Sequence, residues 1–313
     1  KQLFEIVSTN MPYTLILAGD HLYRMDYAAM AQFHWEKNAD ITIAVQPVAG
    51  KDAVRFGILK RDSNHRIIDF AEKSKDPAVL ENMVSRDDPG RPYLGSMGIY
   101  MFNTNVLSDL LETTTYDDFG GHVIPHAIHT HNVFGYDFDD YWEDIGTIRS
   151  FYDTNIALTE PNPPFSFYDP KQPIYSNGET LPSSIIHNSI LEDVLISSGC
   201  RIQNADIHHS VIGLRSQIGS GTKIRDTVMM GADFYEQPGV SNESIYDPPL
   251  GIGDNCDISG AIIDKNAHLG EGVVIQPFPR GTDMDEENWT VRDGIVVIPK
   301  NAILLPNTYI GPK

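Results

Sequence analysis

Ile218-Gly219-Ser220-Gly221-Thr222-Lys223 runs directly into Ile224, and this stretch decides the fold of the carboxyl-terminal half. One aliphatic residue, a group of small or turn-forming residues and then the next aliphatic residue repeat every six positions. The same period recurs at Ile190, Ile196 and Ile202, at Ile212, Ile218, Ile224 and Met230, at Ile263, Leu269 and Ile275, and at Val297, Ile303 and Tyr309. One core residue in six, with Gly, Asn and Asp between, is the pattern of a parallel β-helix: each hexapeptide is one face of a coil, and stacked coils share a core. A sandwich of antiparallel strands would alternate with period two and turn less regularly. The register breaks near His208, and again between Ala232 and Pro249, where Phe234-Tyr235-Glu236-Gln237-Pro238 and Asp247-Pro248-Pro249 predict an inserted loop.

Toward the amino terminus the composition changes at Glu160. Pro161, Pro163, Pro164, Pro170 and Pro173, interleaved with Phe165, Phe167, Tyr168 and Tyr175, read as a linker packed by its aromatic rings. Ahead of it lie strands and helices. Thr14-Leu15-Ile16-Leu17-Ala18-Gly19-Asp20-His21 reads as a buried strand that delivers a carboxylate to the end of a sheet, where open α/β folds place their ligands. A purely structural alternative is that Asp20 caps the helix starting near Asp26 or Tyr27. That helix, to Asn38, carries Met30, Phe33 and His34 on one face and leads to the β-branched run Ile41-Thr42-Ile43-Ala44-Val45, a strand–helix–strand unit typical of a parallel sheet. Further strands are expected at 56–60, 66–73, 95–102 and 132–138, with helices at 105–113, within 119–129 and at 147–158. The division is therefore a sheet domain at 1–160, a linker at 161–184 and the β-helix at 185–313.

The formal net charge of −20 excludes nonspecific binding to nucleic acid or anionic lipid, because the long-range field repels polyanions. Cys200 and Cys256 are the only cysteines, too few for a disulfide framework or a four-cysteine zinc site, which fits a reducing, cytoplasm-like compartment. No apolar run is long enough to span a bilayer, and no signal peptide is evident. The first residue is Lys1, and Gln2-Leu3-Phe4-Glu5-Ile6-Val7 reads as the middle of a helix, so a fragment is expected.

Asp20 and Asp144 each stand where a strand is expected to end in a glycine-flanked turn. Two such acids could hold a hard divalent ion, Mg²⁺, against the oxygens of a phosphate substrate. Four strings then carry a resemblance: Leu17-Ala18-Gly19-Asp20-His21-Leu22-Tyr23, Phe70-Ala71-Glu72-Lys73, Ser96-Met97-Gly98-Ile99-Tyr100 and Tyr141-Trp142-Glu143-Asp144-Ile145-Gly146-Thr147. They resemble, in order, the motifs of the glucose-1-phosphate adenylyltransferases, also called ADP-glucose pyrophosphorylases. Val211-Ile212-Gly213-Leu214-Arg215-Ser216, Met229-Met230-Gly231-Ala232-Asp233 and Ile262-Ile263-Asp264-Lys265-Asn266-Ala267 extend the likeness over the second half.

The resemblance implies a partial Rossmann-like nucleotidyltransferase sheet domain followed by a left-handed parallel β-helix of hexapeptide repeats. It implies that ATP and glucose 1-phosphate react with Mg²⁺ to give ADP-glucose and pyrophosphate, for glycogen or starch. Asp20 and Asp144 would hold the metal. Lys73 would bind the sugar phosphate, as a point cation suits a dianion, and Glu72, Ser96 and the backbone at Gly57 would contact the glucose. Arg215, Lys265 and Lys300 match positions that receive an anionic sugar-phosphate-type effector between the two domains. A homo- or heterotetramer is implied, cytoplasmic or, in a plant or alga, plastidic. Taken singly the residues have plainer readings: Glu72 and Lys73 as an exposed ion pair, Ser96 and Gly98 as small residues at a close strand contact, Trp142 as packing, and the lysines as solvated cations.

The family's glycine-rich phosphate loop, Gly-Gly-x-Gly-Thr-Arg-Leu in kind, is absent. This chain alone is therefore expected to be inactive, and adenine specificity rests on the rest of the match. Ser74 stands where the family usually has proline, and Gly95 before Ser96 is a further departure. A pyrophosphorylase for another base or sugar, and a noncatalytic regulatory subunit, stay open. His122, His126, His129 and His131 cluster, with His126 and His129 at a helical i, i+3 spacing that could hold zinc, but no Cys or carboxylate completes the set.

Overall fold

A computed structural model describes residues 11–113, 118–170, 173–174, 180–236 and 248–312. The helix expected around Gln2–Val7, the ring of Tyr175 and residues 237–247 of the inserted loop lie outside them. By their contacts the residues form two compact units, 1–142 and 143–313.

The first unit is a mixed sheet with helices on it. Its strands are β1 (Tyr13–Ile16), β2 (His21–Tyr23), β3 (Ile41–Val48), β4 (Gly57–Arg61), β5 (Ile67–Glu72), β6 (Tyr93–Asn103) and β7 (Val133–Asp137), and β8 (Trp142–Asp144) starts at its boundary. Helices α1 (Tyr27–Glu36), α2 (Pro77–Asn82), α3 (Thr104–Thr113) and α4 (Ile124–Thr130) intervene. The order is β5–β4–β6–β3–β7, with β1 also on β6. β1 and β3 run in the same direction, as the strand–helix–strand reading expects, but they are not neighbours: β6 pairs with both and runs antiparallel to each, and among the described pairs of this sheet only β3–β7 is parallel. The reason lies in β6, whose Leu94, Met97, Ile99 and Phe102 are all fully buried. A strand apolar on both faces takes the centre of a sheet covered on both sides. One face packs Ile41, Ile43, Val45 and Phe102 against Leu107, Ile124 and Val133. The other packs Ala44, Met97, Ile99 and Met101 against Met30, Phe138 and Trp142.

In the second unit, α5 (Ile148–Ala157) opens with a reciprocal cap: Thr147 accepts from the Ser150 amide and Ser150 from the Thr147 amide. Its Tyr152 and Ile156 pack on Val228, Ile262 and Ile295 of the β-helix. The helix expected at the end of the first domain is thus packed as part of the second unit.

The β-helix strands are β9 (Ile185–His187), β10 (Ile190–Ile196), β11 (Arg201–Gln203), β12 (Asp206–Ile212), β13 (Gln217–Ile218), β14 (Lys223–Met229), β15 (Gly251–Ile252) and β16 (Asp257–Ile263). There follow β17 (His268–Leu269), β18 (Val274–Ile275), β19 (Met284–Asp285), β20 (Thr290–Arg292), β21 (Ile295–Ile298), β22 (Ile303–Leu304) and β23 (Tyr309–Ile310). Parallel pairing stacks three ladders: Ile207, Ile224, Ile258, Ile275 and Ile310; Ile212, Met229, Ile263 and Ile298; and Ile202, Ile218, Ile252, Leu269 and Leu304.

The period is therefore not six throughout. Ile207 pairs with Ile224 and Ile258 with Ile275, a coil of 17 residues made of one five-residue and two six-residue steps. The short step passes through a left-handed residue inside a bent strand, His209 in β12, Asp226 in β14 and Gly260 in β16. The break expected near His208 is this corner, not an interruption. Met230, Ile303 and Tyr309, counted by the uniform period as core, are exposed; Met229, Leu304 and Ile310 are buried in their place, because a one-residue slip reverses the face. Ile190 of the first coil is exposed too. A second insertion, not foreseen, leaves the coil after β18 as the β19–β20 hairpin, with Trp289 stacked 6.2 Å from Phe278.

Candidate active site

Within the first unit the sequence-marked residues gather around the ends of β4, β5 and the middle of β6. Gly57 pairs with Glu72 across β4 and β5. A Cβ on Gly57 would lie 2.5 Å from the Phe70 ring and 2.7 Å from Oε2 of Glu72; one on Gly120 would lie 2.9 Å from the same oxygen. Two glycines thus make room for one carboxylate. Lys73 follows with φ +43°, a left-handed conformation that ends β5 and throws its side chain outward. Its amide donates to the Phe56 carbonyl at 3.2 Å, and its Nζ stands 3.6 Å from Glu72 Oε1, mostly exposed.

Ser96 sits on β6 beside a bulge. The β3–β6 register shifts between Ile43 and Val45, opposite Gly98 at φ +65°. Ser96 Oγ accepts from the Gly98 amide at 3.3 Å. Its hydroxyl also meets that of Tyr100, whose pKa is raised by burial and further by the charges of Glu72 and Asp118, against the lowering effect of Ser96. Asp118 caps the π-helical turn Phe119–Val123, accepting from the Gly121 amide. The Phe119 ring stacks on Tyr100 at 5.6 Å. Sequence reading missed Tyr100, Asp118 and Gly120 as members of this recess. The Gly120-Gly121 pair after an acid was the one signal available.

Asp20 lies in the turn between β1, which ends at Ile16, and β2. It is not a helix cap: Asp26 caps α1, accepting from the Ala28 and Ala29 amides. Asp20 is two-thirds exposed, with His21 Nε2 3.7 Å from its Oδ1. Asp144 stands at the start of the second unit and accepts from the Gly146 amide at 2.9 Å. Among the described residues no three His, Cys, Asp or Glu side chains gather as a metal site, so the histidines of α4 and its flanks make none. Each of the two acids, Asp20 and Asp144, taken by itself offers the oxygen donor that Mg²⁺ prefers.

In the β-helix, Lys265 and Lys300 do come together. Both donate to one carboxylate, Asp233, Lys265 Nζ at 2.8 Å and Lys300 Nζ at 2.7 Å. These bonds, Lys265 first, hold the Asp233 carboxyl well below the usual range. Arg215, at φ +60°, donates to the neighbouring Ala232 carbonyl at 3.1 Å. The acid that joins the two lysines had not been singled out.

Two family models match the chain. Residues 1–161 match that of the nucleotidyl transferases, and residues 179–309 match that of the GLGC left-handed parallel β-helix domain. The first covers more than half of the chain, and the second gives the coil its hand. This succession of domains is that of a sugar-1-phosphate nucleotidyltransferase. The chain belongs to the nucleotidyl transferase family, with the two-domain architecture of glucose-1-phosphate adenylyltransferase.

Proposed function

We propose that the protein transfers an adenylyl group from ATP to glucose 1-phosphate, giving ADP-glucose and pyrophosphate for glycogen or starch synthesis. The observation that carries the reading is the recess of Gly57, Glu72, Lys73, Ser96, Tyr100 and Asp118. It offers one exposed cation beside a wall of acceptors and hydroxyls, the chemistry a sugar phosphate needs at its two ends.

In the reaction a phosphate oxygen of glucose 1-phosphate attacks the α-phosphorus of ATP, the bond to the β-phosphate oxygen breaks, and pyrophosphate leaves. No protein nucleophile is required, so alignment and charge neutralisation do the work. Lys73 holds the phosphate of the sugar. Glu72 and Asp118 accept from its hydroxyls while Ser96 and Tyr100 donate or accept. Asp20 and Asp144 would hold Mg²⁺, which would neutralise phosphate charge. Lys265 and Lys300, with Arg215 nearby, receive an anionic sugar-phosphate effector, which must displace Asp233 to reach the lysines. A tetramer and a cytoplasmic or plastid site accompany this reading. Among the described residues no helix is long and apolar enough to cross a membrane.

Calorimetric titration with glucose 1-phosphate tests the recess. Lys73→Ala should weaken binding by at least about tenfold, the scale of a lost charge-assisted contact; an unchanged affinity removes Lys73 from the site.

A further inference from the structure

Arg149 stands in the first turn of α5, where the positive end of the helix dipole disfavours a cation. Its pairing with Asp153 at i+4 runs basic to acidic, the weaker order for such a pair. What offsets this is Asp293, far along the same unit. The guanidinium grips that residue twice, Nε donating to Oδ2 at 3.0 Å and Nη2 to the main-chain carbonyl. Only a quarter of the arginine side chain stays exposed.

Asp293 is well placed as an anchor. Asp293-Gly294, at φ +48° and +82°, is the two-residue turn that joins β20 to β21, the left-handed kind that suits the twist of a hairpin. Its Oδ1 accepts from the Gly281 amide at 2.7 Å, and its own amide donates to Asp283 at 2.8 Å. The Gly281 bond first, then the Arg149 bond, holds the Asp293 carboxyl below its usual range, so it remains an ionised acceptor at neutral pH.

On the other side of Arg149 the chain back to Asp144 is tied by its own hydrogen bonds. Asp144 Oδ1 accepts from the Gly146 amide at 2.9 Å, Thr147 Oγ1 accepts from the Ser150 amide at 3.1 Å, and Ser150 Oγ accepts from the Thr147 amide at 3.2 Å. Residues 144–150 therefore move as one piece. We infer that Arg149 is a positioning residue: its grip on Asp293 fixes the first turn of α5, and with it the Asp144 carboxylate, on the β-helix. A ligand misplaced by an ångström loses much of its effect, so a remote bond that fixes a loop is felt at the site it carries. The inference rests on the reading of Asp144 as a metal ligand. Tyr152 makes a separate tie, its hydroxyl donating to the Asp226 carbonyl at 2.6 Å, which holds the body of α5 and not its first turn.

The test counts bound Mn²⁺, used in place of Mg²⁺, by electron paramagnetic resonance on the full-length protein without turnover, with circular dichroism melts of every variant. Arg149→Met keeps the apolar stem but makes neither bond to Asp293, and should weaken Mn²⁺ by about tenfold. Arg149→Lys, which keeps one donor and the charge, should recover part of that loss. Asp293→Asn, which tolerates the left-handed turn, should weaken Mn²⁺ several-fold alone and add little to Arg149→Met, because both break one grip. Tyr152→Phe keeps the ring under the guanidinium and should lower the melting temperature while leaving Mn²⁺ affinity unchanged. Wild-type affinity in Arg149→Met, losses that add in the double variant, or an equal loss in Tyr152→Phe overturns the inference. Asp144→Asn separates the two claims: if it leaves Mn²⁺ binding unchanged the site reading itself fails, whereas a loss there with none in the Arg149 variants removes only Arg149.

Discussion

Glu72 is held where it is by what its neighbours lack. Its carboxylate occupies the space that side chains at Gly57 and Gly120 would take. Gly57→Ala should therefore destabilise the first unit by about 1–3 kcal/mol, the usual scale of overpacking, and raise KM for the sugar phosphate by displacing Glu72. Urea unfolding and steady-state kinetics check the two effects, and an unchanged KM would show that the carboxylate is not held at the substrate. Residues of this kind divide sharply in legibility. Asp20, Glu72, Lys73, Ser96 and Asp144 stand in contiguous strings and were readable one by one. Tyr100 stood in the same string as Ser96, and Asp118 beside the Gly120-Gly121 pair, yet their place around Glu72 depends on β6 and the turn after α3 meeting in space, a relation between distant segments.

At the scale of the element, the six-residue period announced the β-helix, while its five-residue corners stayed hidden. A left-handed His209 or Asp226 looks in sequence like any polar strand residue, yet it shortens the step and moves the core from Met230 to Met229. One corner also straps α5. His209 bonds Asp226 at 2.6 Å and Glu160, just past α5, at 3.2 Å, while the Tyr152 hydroxyl donates to the Asp226 carbonyl. The Asp226 bond above all, helped by the Asp226 charge and by the Glu160 bond and charge, raises the His209 pKa against the opposing effect of burial. A raised folded pKa means the strap contributes fully below the ordinary histidine value of about 6.5 and is lost as pH rises through the folded value. The melting-temperature gap between wild type and His209→Gln should be wide near pH 6 and close in mildly alkaline buffer; a gap independent of pH would deny the ionic strap.

Two successive coils carry two of the three effector candidates. Lys265 and Lys300 are already paired to Asp233, so an incoming anion competes with an internal one. Asp233→Asn should raise affinity for inorganic phosphate, read by calorimetry at low salt where exposed ion pairs count most. Weaker phosphate binding would mean that Asp233 organises the lysines and does not block them.

For the whole molecule, the two-domain plan was legible because each half has its own periodicity, and the family models match each half. The seam was less legible. Helix α5 continues the strand and helix character of the first half, and the nucleotidyl transferase match runs through it to residue 161, yet its apolar face packs on the β-helix. Sequence character follows descent, whereas compactness follows which surface buries Tyr152 and Ile156. The central claim concerns chemistry, and pyrophosphate release tests it directly. The full-length protein, Mg²⁺ and glucose 1-phosphate are supplied in turn with ATP, GTP, UTP, CTP and dTTP. ATP should be the preferred donor, with ADP-glucose and pyrophosphate formed in equal amounts; preference for GTP, UTP or another base, or no release with any nucleotide, would contradict the account.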